Sequence, residues 1–198
     1  MTSHIKALLA LAKNGDVEAQ FQAATYFQTI SDIDSSVRWL KAASELGHVK
    51  AITNLGICYF YGDGVEQSYK TALDLFEEAS TQGDINSEYY LGLSFLNGLG
   101  NEKDAARGFT ILLNCAKVGM PWAQLAVGDC YRDGNGVEVD LFEAVSWYAH
   151  SAKQGLDDAI ASFNDIYYSN HFIDADDNQR FFWFELEAMA SESSPKPS

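Results

Sequence analysis

Proline and cysteine are scarce in this sequence. Only three prolines occur among 198 residues, and two of them, Pro195 and Pro197, lie at the C-terminus. Proline therefore breaks almost no helix in this chain. The three cysteines are odd in number and form no C-x-x-C motif, which argues against a disulfide scaffold and gives zinc no support. We expect buried, reduced thiols and a cytoplasmic location.

Positive charge is also scarce, and this limits the choice of partner. The chain has 13 Lys and Arg residues against 28 Asp and Glu, which gives a formal net charge of −15. A surface of this sign repels nucleic-acid phosphates and anionic lipids, so we expect neither as a partner. The same charge favours a protein or peptide partner that carries basic residues.

Long hydrophobic runs are missing as well. No apolar stretch approaches the roughly 18 residues that a membrane span needs. Lys6 precedes a short apolar stretch, as in a signal peptide, but that stretch ends at Lys13 and has no small-x-small cleavage site. Secretion is therefore the alternative to the cytoplasmic assignment.

The strongest feature of the sequence is an internal repeat. A Gly-x-x-x-(Ala/Ser) motif recurs at successive spacings of 32, 36, 36 and 36 residues. Its glycines are Gly15, Gly47, Gly83, Gly119 and Gly155. The same period aligns a second glycine column, which consists of Gly56, Gly92 and Gly128. A period of this length predicts tandem structural repeats.

Each period contains two amphipathic helical patterns, A and B. In the second period, apolar residues at i, i+3, i+4 and i+7 predict helix A over 49–61 and helix B over about 68–81. Between them, Gly62 and Gly64 form a turn that allows positive φ. A glycine inside a helix costs about 1 kcal/mol, so the column that contains Gly56 needs a packing reason. We expect it to let the backbone of helix B approach helix A closely.

We predict one all-α domain over residues 1–190, followed by a flexible tail over 191–198. A lone helix over about 4–14 matches the pattern of helix B and would cap the array. Five repeats follow, of which the first lacks the glycine turn and the last is degenerate. Their predicted bounds are 15–46, 47–82, 83–118, 119–154 and 155–190.

These residues resemble the Sel1-like repeat family, a relative of the tetratricopeptide repeats. The family pattern A-x-x-x-L-G-x-x-Y-x-x-G-x-G-V, followed by A-x-x-W-Y-x-x-A-A-x-x-G, is met closely by residues 51–83 and 123–155. The resemblance extends over 4–190 and implies a right-handed α/α superhelical solenoid. It further implies a non-enzymatic adaptor or scaffold for protein–protein interaction. The alternatives are a β-lactamase-like hydrolase, an activity sometimes attached to the family, or a secreted bacterial effector.

The resemblance also implies that helix A lines the concave side, where its variable columns contact a bound peptide. Aromatic side chains and arginine dominate the energetics of protein interfaces, so we predict a partner-binding groove there. Its candidate residues are Lys50, Phe60, Tyr61, Tyr89, Trp122, Arg132 and Tyr168. The alternative is that these aromatics, Phe60 in particular, pack between neighbouring A helices.

A second contact is predicted near the C-terminus. Residues 181–184 are Phe-Phe-Trp-Phe, and one helix face cannot bury four consecutive aromatics. Phe182 shares its column with Arg38, Asp74, Thr110 and Ser146 in the earlier repeats. We therefore expect Phe182 to face away from the repeat core and to form a homodimer contact, form a partner contact or be covered by the C-terminal tail.

No catalytic residue, metal ion or cofactor is predicted. Ser3 and Lys6 match the S-x-x-K pattern of serine β-lactamases, but the accompanying S-D-N and K-T-G motifs are missing. Cysteine-rich members of the family have a disulfide whose first position is occupied here by Cys115, whereas Ala123 fills the second. No two histidines are spaced to share a metal ion. We therefore predict that the protein is not an enzyme.

Overall fold

The computed structural model describes residues 3–168. This part of the chain consists of helices and contains no strand, which confirms the all-α prediction. The helices are α1 (Ser3–Lys13), α2 (Val17–Thr29), α3 (Ile33–Glu45), α4 (Val49–Tyr61), α5 (Tyr69–Ser80), α6 (Ile85–Asn97), α7 (Ala105–Lys117), α8 (Pro121–Asp133), α9 (Leu141–Ala152) and α10 (Asp157–Tyr168). We call the even-numbered helices the A helices, and α3, α5, α7 and α9 the B helices. Over residues 3–168, no helix is both long and apolar enough to cross a lipid bilayer.

The chain divides between residues 103 and 104 into two compact units. In the first unit, each helix from α1 to α6 packs against the next one in the sequence. In the second unit, α7 to α10 pack in the same way. The single domain over 1–190 stays a prediction, and the predicted tail at 191–198 lies outside the described residues.

The helix boundaries follow the capping residues that the sequence supplies. Helix α4 spans Val49–Tyr61, which is the predicted range, and Gly62 ends it in the left-handed conformation. Helix α5 spans Tyr69–Ser80 and begins after Ser68, whose hydroxyl oxygen accepts the backbone N–H of Thr71. Such a cap satisfies one of the amide groups that a helix start leaves unpaired. Local sequence thus determines where helices A and B begin and end.

The first hairpin replaces the glycine turn with a shorter one. Helix α2 ends at Thr29, and Ser31 takes a φ of 59° in the position where the turn reverses. Asp32 then accepts the backbone N–H of Ser35 at 3.1 Å and so caps α3. A polar residue in left-handed conformation followed by an N-cap is sufficient to connect the two helices.

Helix α1 occupies the place of a B helix at the N-terminal end of the first unit. Gln20 of α2 donates from Nε2 to the carbonyl oxygen of Ala12 at 3.2 Å. In the second unit, Gln124 of α8 donates to the carbonyl oxygen of Ala116 in α7 at the same distance, 3.2 Å. The two bonds join residues at equivalent positions of the repeat. Helix α1 thus packs against the first A helix as α7 packs against α8.

The glycine column makes room for an aromatic ring, which corrects the prediction of a close backbone approach. A Cβ atom on Gly56 would lie 2.6 Å from Cε1 of Phe76, and one on Gly128 would lie 2.6 Å from Cδ1 of Tyr148. Both rings belong to the B helix of the same hairpin and are fully buried. At Gly128 a backbone atom is also near, since the carbonyl oxygen of Ala144 would lie 3.1 Å from the added Cβ atom.

The second glycine of each Gly-x-Gly turn holds that turn against the start of the preceding B helix. Gly100 has a φ of +81°, and a Cβ atom there would lie 2.6 Å from the carbonyl carbon of Tyr69. Gly136 also has a φ of +81°, and a Cβ atom there would lie 2.6 Å from the carbonyl carbon of Ala105. The turn of one hairpin therefore packs directly on the backbone of the hairpin before it.

Asn101 is a polar residue in an apolar position of these turns. Its side-chain oxygen and nitrogen are buried and have no hydrogen-bond partner within the described residues. The equivalent residues of the neighbouring repeats are Val65 and Val137. We expect Asn101→Val to raise the free energy of unfolding by about 1–2 kcal/mol, because a buried unsatisfied amide costs about that much. Urea unfolding followed by circular dichroism measures the difference.

The reverse exchange is the matched control. Val65 packs in the core cluster of the first unit, so Val65→Asn should lower the free energy of unfolding by a comparable amount. If Asn101→Val lowered the stability instead, the position would not be an apolar one.

Candidate partner-binding faces

The A helices expose the two outer columns of the predicted groove. The first column is exposed in every repeat and consists of Glu18, Lys50, Asn86, Trp122 and Asp158. The last column is exposed in each repeat where the structure describes it, at Thr29, Tyr61, Asn97 and Asp133. The two columns between them are buried or half-buried at most positions. The solvent-facing positions thus lie at the start and the end of each A helix.

Phe60 belongs to the core of the first unit, in agreement with the alternative that it packs between neighbouring A helices, because its ring centroid lies 5.4 Å from that of Tyr90 on α6. It is only 8% exposed, and its ring centroid lies 5.2 Å from that of Tyr69 and 6.2 Å from that of Phe76. Both of these partners come from the B helix α5. The position of Phe60 on α4 therefore turns its ring inward, where it supports the surface residue next to it.

That neighbour, Tyr61, forms the exposed part of an aromatic cluster between α4 and α6. Tyr61 is 57% exposed, and its ring lies 5.1 Å from Phe60 and 6.4 Å from Tyr90. Tyr90 lies 5.3 Å from Tyr89 and stacks on Phe76 at 4.9 Å. We call Tyr61, Tyr89 and Tyr90 the tyrosine face.

Tyr90 is the member of the tyrosine face that sequence reasoning missed. Burial raises the pKa of its hydroxyl group, and a hydrogen bond with Tyr61 contributes in the same direction. The signal was present in the sequence, since Tyr90 lies four residues after the exposed Asn86 and therefore on the same side of α6. The predicted columns used a spacing of three residues and so selected only Tyr89.

The tyrosine face is poor in charge. Helix α4 carries one charged residue, Lys50, and α6 carries one, Glu88. The B helix α5 between them carries Lys70, Asp74, Glu77 and Glu78. In a chain with a net charge of −15, an uncharged aromatic surface is unusual, and such a surface is typical of a protein contact.

Lys50 lies at the opposite end of α4 from Tyr61, about 16 Å along the helix axis. Its neighbour is Glu18, which accepts a hydrogen bond from Gln22 at 3.0 Å and lies 3.3 Å from Nε2 of His48. The hydrogen bond from Gln22, with His48 and Lys50 nearby, lowers the pKa of Glu18. Lys50 is therefore exposed, but it belongs to a polar group at the other end of the helix from the tyrosine face.

In the second unit, Trp122 is exposed and Arg132 is engaged by carboxylates. Trp122 is 48% exposed at the start of α8. Arg132 donates from Nε and Nη2 to the two carboxylate oxygens of Asp133, both at 2.8 Å, and Nη1 lies 2.9 Å from Oδ1 of Asp129. This pairing raises the pKa of Arg132 and lowers that of Asp133. Arg132 thus lies at the surface with its charge paired on its own helix, and its contact with a partner stays a prediction.

Two predicted contact residues, Tyr168 and Phe182, have side chains outside the described part of the chain. Helix α10 ends at Tyr168, but the side chain of Tyr168 lies outside the described residues. Phe182 lies outside them as well. The homodimer contact through Phe182 stays a prediction.

The three cysteines have the properties of structural thiols. Cys58, Cys115 and Cys130 are buried, and none of them is in a disulfide. Burial raises the pKa of Cys58 to about 11 and that of Cys130 to about 12, so a reactive thiolate is disfavoured at neutral pH. Over residues 3–168, no three His, Cys, Asp or Glu side chains are grouped so that they could hold a metal ion.

A model of one protein family matches the repeats. It is described as the Sel1 repeat, and it matches residues 17–48, 49–84, 85–112 and 123–156. These segments together cover more than half of the chain. The first two matches each contain one A helix and the B helix that follows it.

Two solved structures of bacterial proteins are similar to the whole chain. A Sel1 repeat protein from Oxalobacter formigenes has 28% sequence identity and a TM-score of 0.79, and the alignment covers 98% of this chain and 77% of that one. The protein c5321, a protective antigen present in uropathogenic Escherichia coli strains and displaying an SLR fold, has 27% identity and a TM-score of 0.75, over 94% of this chain and 41% of that one. None of the curated proteins compared with the chain matches it. The predicted fold of tandem helical hairpins is confirmed.

Proposed function

Since this chain belongs to the Sel1 repeat family, we propose that it is a non-enzymatic adaptor or scaffold that binds a segment of a partner protein on the exposed faces of its A helices. Sel1 repeats generally serve as protein–protein interaction modules. Tandem hairpins bury part of each helix against the next repeat and leave another part in solvent, which creates an extended binding surface. We place this adaptor in the cytoplasm, where buried cysteines remain thiols.

The tyrosine face is the single observation that best supports this proposal. Its exposed member, Tyr61, is held by ring contacts with Phe60 and Tyr90. Phe60 and Tyr90 in turn both contact the buried ring of Phe76. A large aromatic side chain fixed in this way loses little conformational entropy when a partner covers it. Aromatic residues of this kind contribute most of the binding energy in protein interfaces.

The hydrolase alternative has less support. Ser3 and Lys6, the residues of the S-x-x-K match, are both exposed on α1. An activated serine requires a base held next to it in a shaped site. All three cysteines are buried, and burial raises the pKa of Cys58 and of Cys130, so these thiols are poor candidates for an alternative nucleophile.

Substitution of Tyr61 tests the proposal. Proteins retained by the immobilised chain are identified by mass spectrometry, and the affinity of the purified partner is then measured by calorimetry. We expect Tyr61→Ala to weaken binding about tenfold, which is the loss typical of an aromatic anchor. Because Tyr61 is 57% exposed, its removal should leave the helical circular dichroism spectrum unchanged.

Leu46→Ala is the matched control. Leu46 is 55% exposed but lies just after a B helix, in the turn that follows α3, so its removal should change the affinity less than about twofold. Equal losses from Leu46→Ala and Tyr61→Ala would contradict the proposal, as would a partner whose affinity does not depend on Tyr61.

A further inference from the structure

The A helices of the second unit present a surface quite different from the tyrosine face. Among their described side chains, helices α8 and α10 carry one exposed aromatic residue, Trp122, and several exposed or half-exposed carboxylates, which are Asp129, Asp133, Asp157, Asp158 and Asp165. The one cation among the described residues of these two helices is Arg132. We call Trp122, Asp129, Asp133, Asp158 and Asp165 the acidic tryptophan face.

Arg132 does not neutralise this face. Its guanidinium group binds both Asp129 and Asp133, as described above, so these three residues together retain a charge of about −1. Both carboxylates remain partly exposed, at 41% for Asp129 and 54% for Asp133. The face therefore keeps its negative charge while Arg132 restricts the motion of its carboxylates.

A buried tyrosine fixes the centre of this network. Tyr148 of the B helix α9 is fully buried, and its hydroxyl group donates to Oδ1 of Asp129 at 2.8 Å. Burial and this bond raise the pKa of Tyr148. Both bonds of Asp129, from Tyr148 and from Arg132, end on Oδ1. The side chain of Asp129 is 41% exposed, so its carboxylate stays accessible to a cationic donor from a partner.

Trp122 adds a surface that favours cations. The face of an indole ring attracts a positive charge more strongly than the face of any other aromatic side chain. Trp122 and Asp158 occupy the same column in successive repeats, and Leu125 of α8 packs against the core cluster that contains Ala159 of α10. Helices α8 and α10 both pack against the B helix α9.

We propose, as an extension of the proposed function, that the acidic tryptophan face binds an arginine-bearing segment of the partner protein. An arginine side chain stacks its planar guanidinium group on Trp122, and other basic residues of the segment pair with Asp129, Asp133, Asp158 and Asp165. Arginine fits better than lysine, because its planar group both stacks on aromatic rings and forms paired hydrogen bonds with carboxylates. The net charge of −15 adds a long-range attraction for such a segment.

Short labelled peptides provide the probe. Three are compared by fluorescence anisotropy with the full chain at low and at high salt: one in which arginine alternates with glycine, one with lysine in place of arginine, and one with glutamate. We expect the arginine peptide to bind tightest, the lysine peptide more weakly and the glutamate peptide not at all. Trp122→Ala should weaken binding of the arginine peptide about fivefold. The double variant Asp158→Asn, Asp165→Asn should weaken it about tenfold.

A charge-matched control separates this site from a general attraction to an acidic protein. Glu77→Gln combined with Glu78→Gln removes the same two charges from the B helix α5 of the first unit, and it should change the affinity less than about twofold. Equal weakening by both double variants would overturn the inference, as would unchanged binding by Trp122→Ala with its circular dichroism spectrum intact.

The outcome is distinguishable from that of the proposed function. If the arginine peptide fails to bind while Tyr61→Ala still weakens partner binding, only the acidic tryptophan face is refuted. If the peptide binds through Trp122 but Tyr61→Ala leaves the affinity of the partner unchanged, the role of the tyrosine face is refuted instead.

Discussion

Replacing Gly100 with alanine is expected to lower the free energy of unfolding by about 2–4 kcal/mol. Two costs combine at this position. A non-glycine residue at a φ of +81° is strained by roughly 1 kcal/mol. The added Cβ atom would also collide with the backbone of Tyr69 and lie 2.9 Å from the nitrogen of Lys70. Because backbone atoms cannot rotate away as a side chain can, the turn must move off α5, and such overpacking costs about 1–3 kcal/mol.

Gly83→Ala isolates the second cost. Gly83 has the same φ, +81°, but no atom lies within 4 Å of the site that its Cβ atom would occupy. We therefore expect Gly83→Ala to cost only about 1 kcal/mol. Urea unfolding of both variants measures the difference. If the two variants lost the same free energy of unfolding, the turn at Gly100 would not pack tightly on the backbone of the preceding B helix. The packing of one hairpin on the next would then not depend on this contact.

The helix boundaries could be predicted from the sequence because they depend on local chemistry. The range of α4 was predicted exactly, since a helix of regular apolar spacing ends where Gly62 permits a left-handed turn. The range of α5 was predicted to within a residue at each end, and the two extra residues are its caps, Ser68 and Thr81. Each of these features involves residues that are close in the sequence.

The role of the glycine column could not be predicted because it depends on what the opposite helix presents. The repeat period identifies Gly56 as a position where atoms of the B helix approach helix α4 closely. It does not say whether the approaching group is a backbone or the ring of Phe76, because a missing side chain accommodates either. Only coordinates show that the aromatic residues of the B helices fill this space.

The exposed positions of the candidate site could be predicted from the sequence, whereas the surroundings of two of its residues could not. The outer columns are exposed as the groove requires, and they include Tyr61 and Trp122. Phe60 and Arg132 were assigned by residue type, because aromatics and arginine are frequent in interfaces. Phe60 is turned into the core, and the charge of Arg132 is satisfied by its own helix. Residue type alone does not reveal the partner that a side chain already has.

The two proposed faces favour different side chains of a partner. The tyrosine face offers aromatic area with little charge, which favours an apolar side chain of the partner. The acidic tryptophan face offers carboxylates around an indole ring, which favours arginine.

Photo-crosslinking from single positions tests most directly whether the A helices bind the partner. A benzophenone amino acid is placed at one exposed position of an A helix at a time, in place of Tyr61, Asn97 or Trp122. The comparison set has exposed positions of B helices, Glu45, Asp74 and Asn114. Each variant is irradiated with the partner identified by capture, and the crosslinked product is quantified on a gel and mapped by mass spectrometry.

If the A helices bind the partner, we expect crosslinks from the A-helix positions and little or none from the B-helix positions. We also expect the peptide crosslinked at position 122 to carry arginine. Strong crosslinks from Glu45, Asp74 or Asn114, with none from positions 61, 97 and 122, would show that the partner does not bind the A helices.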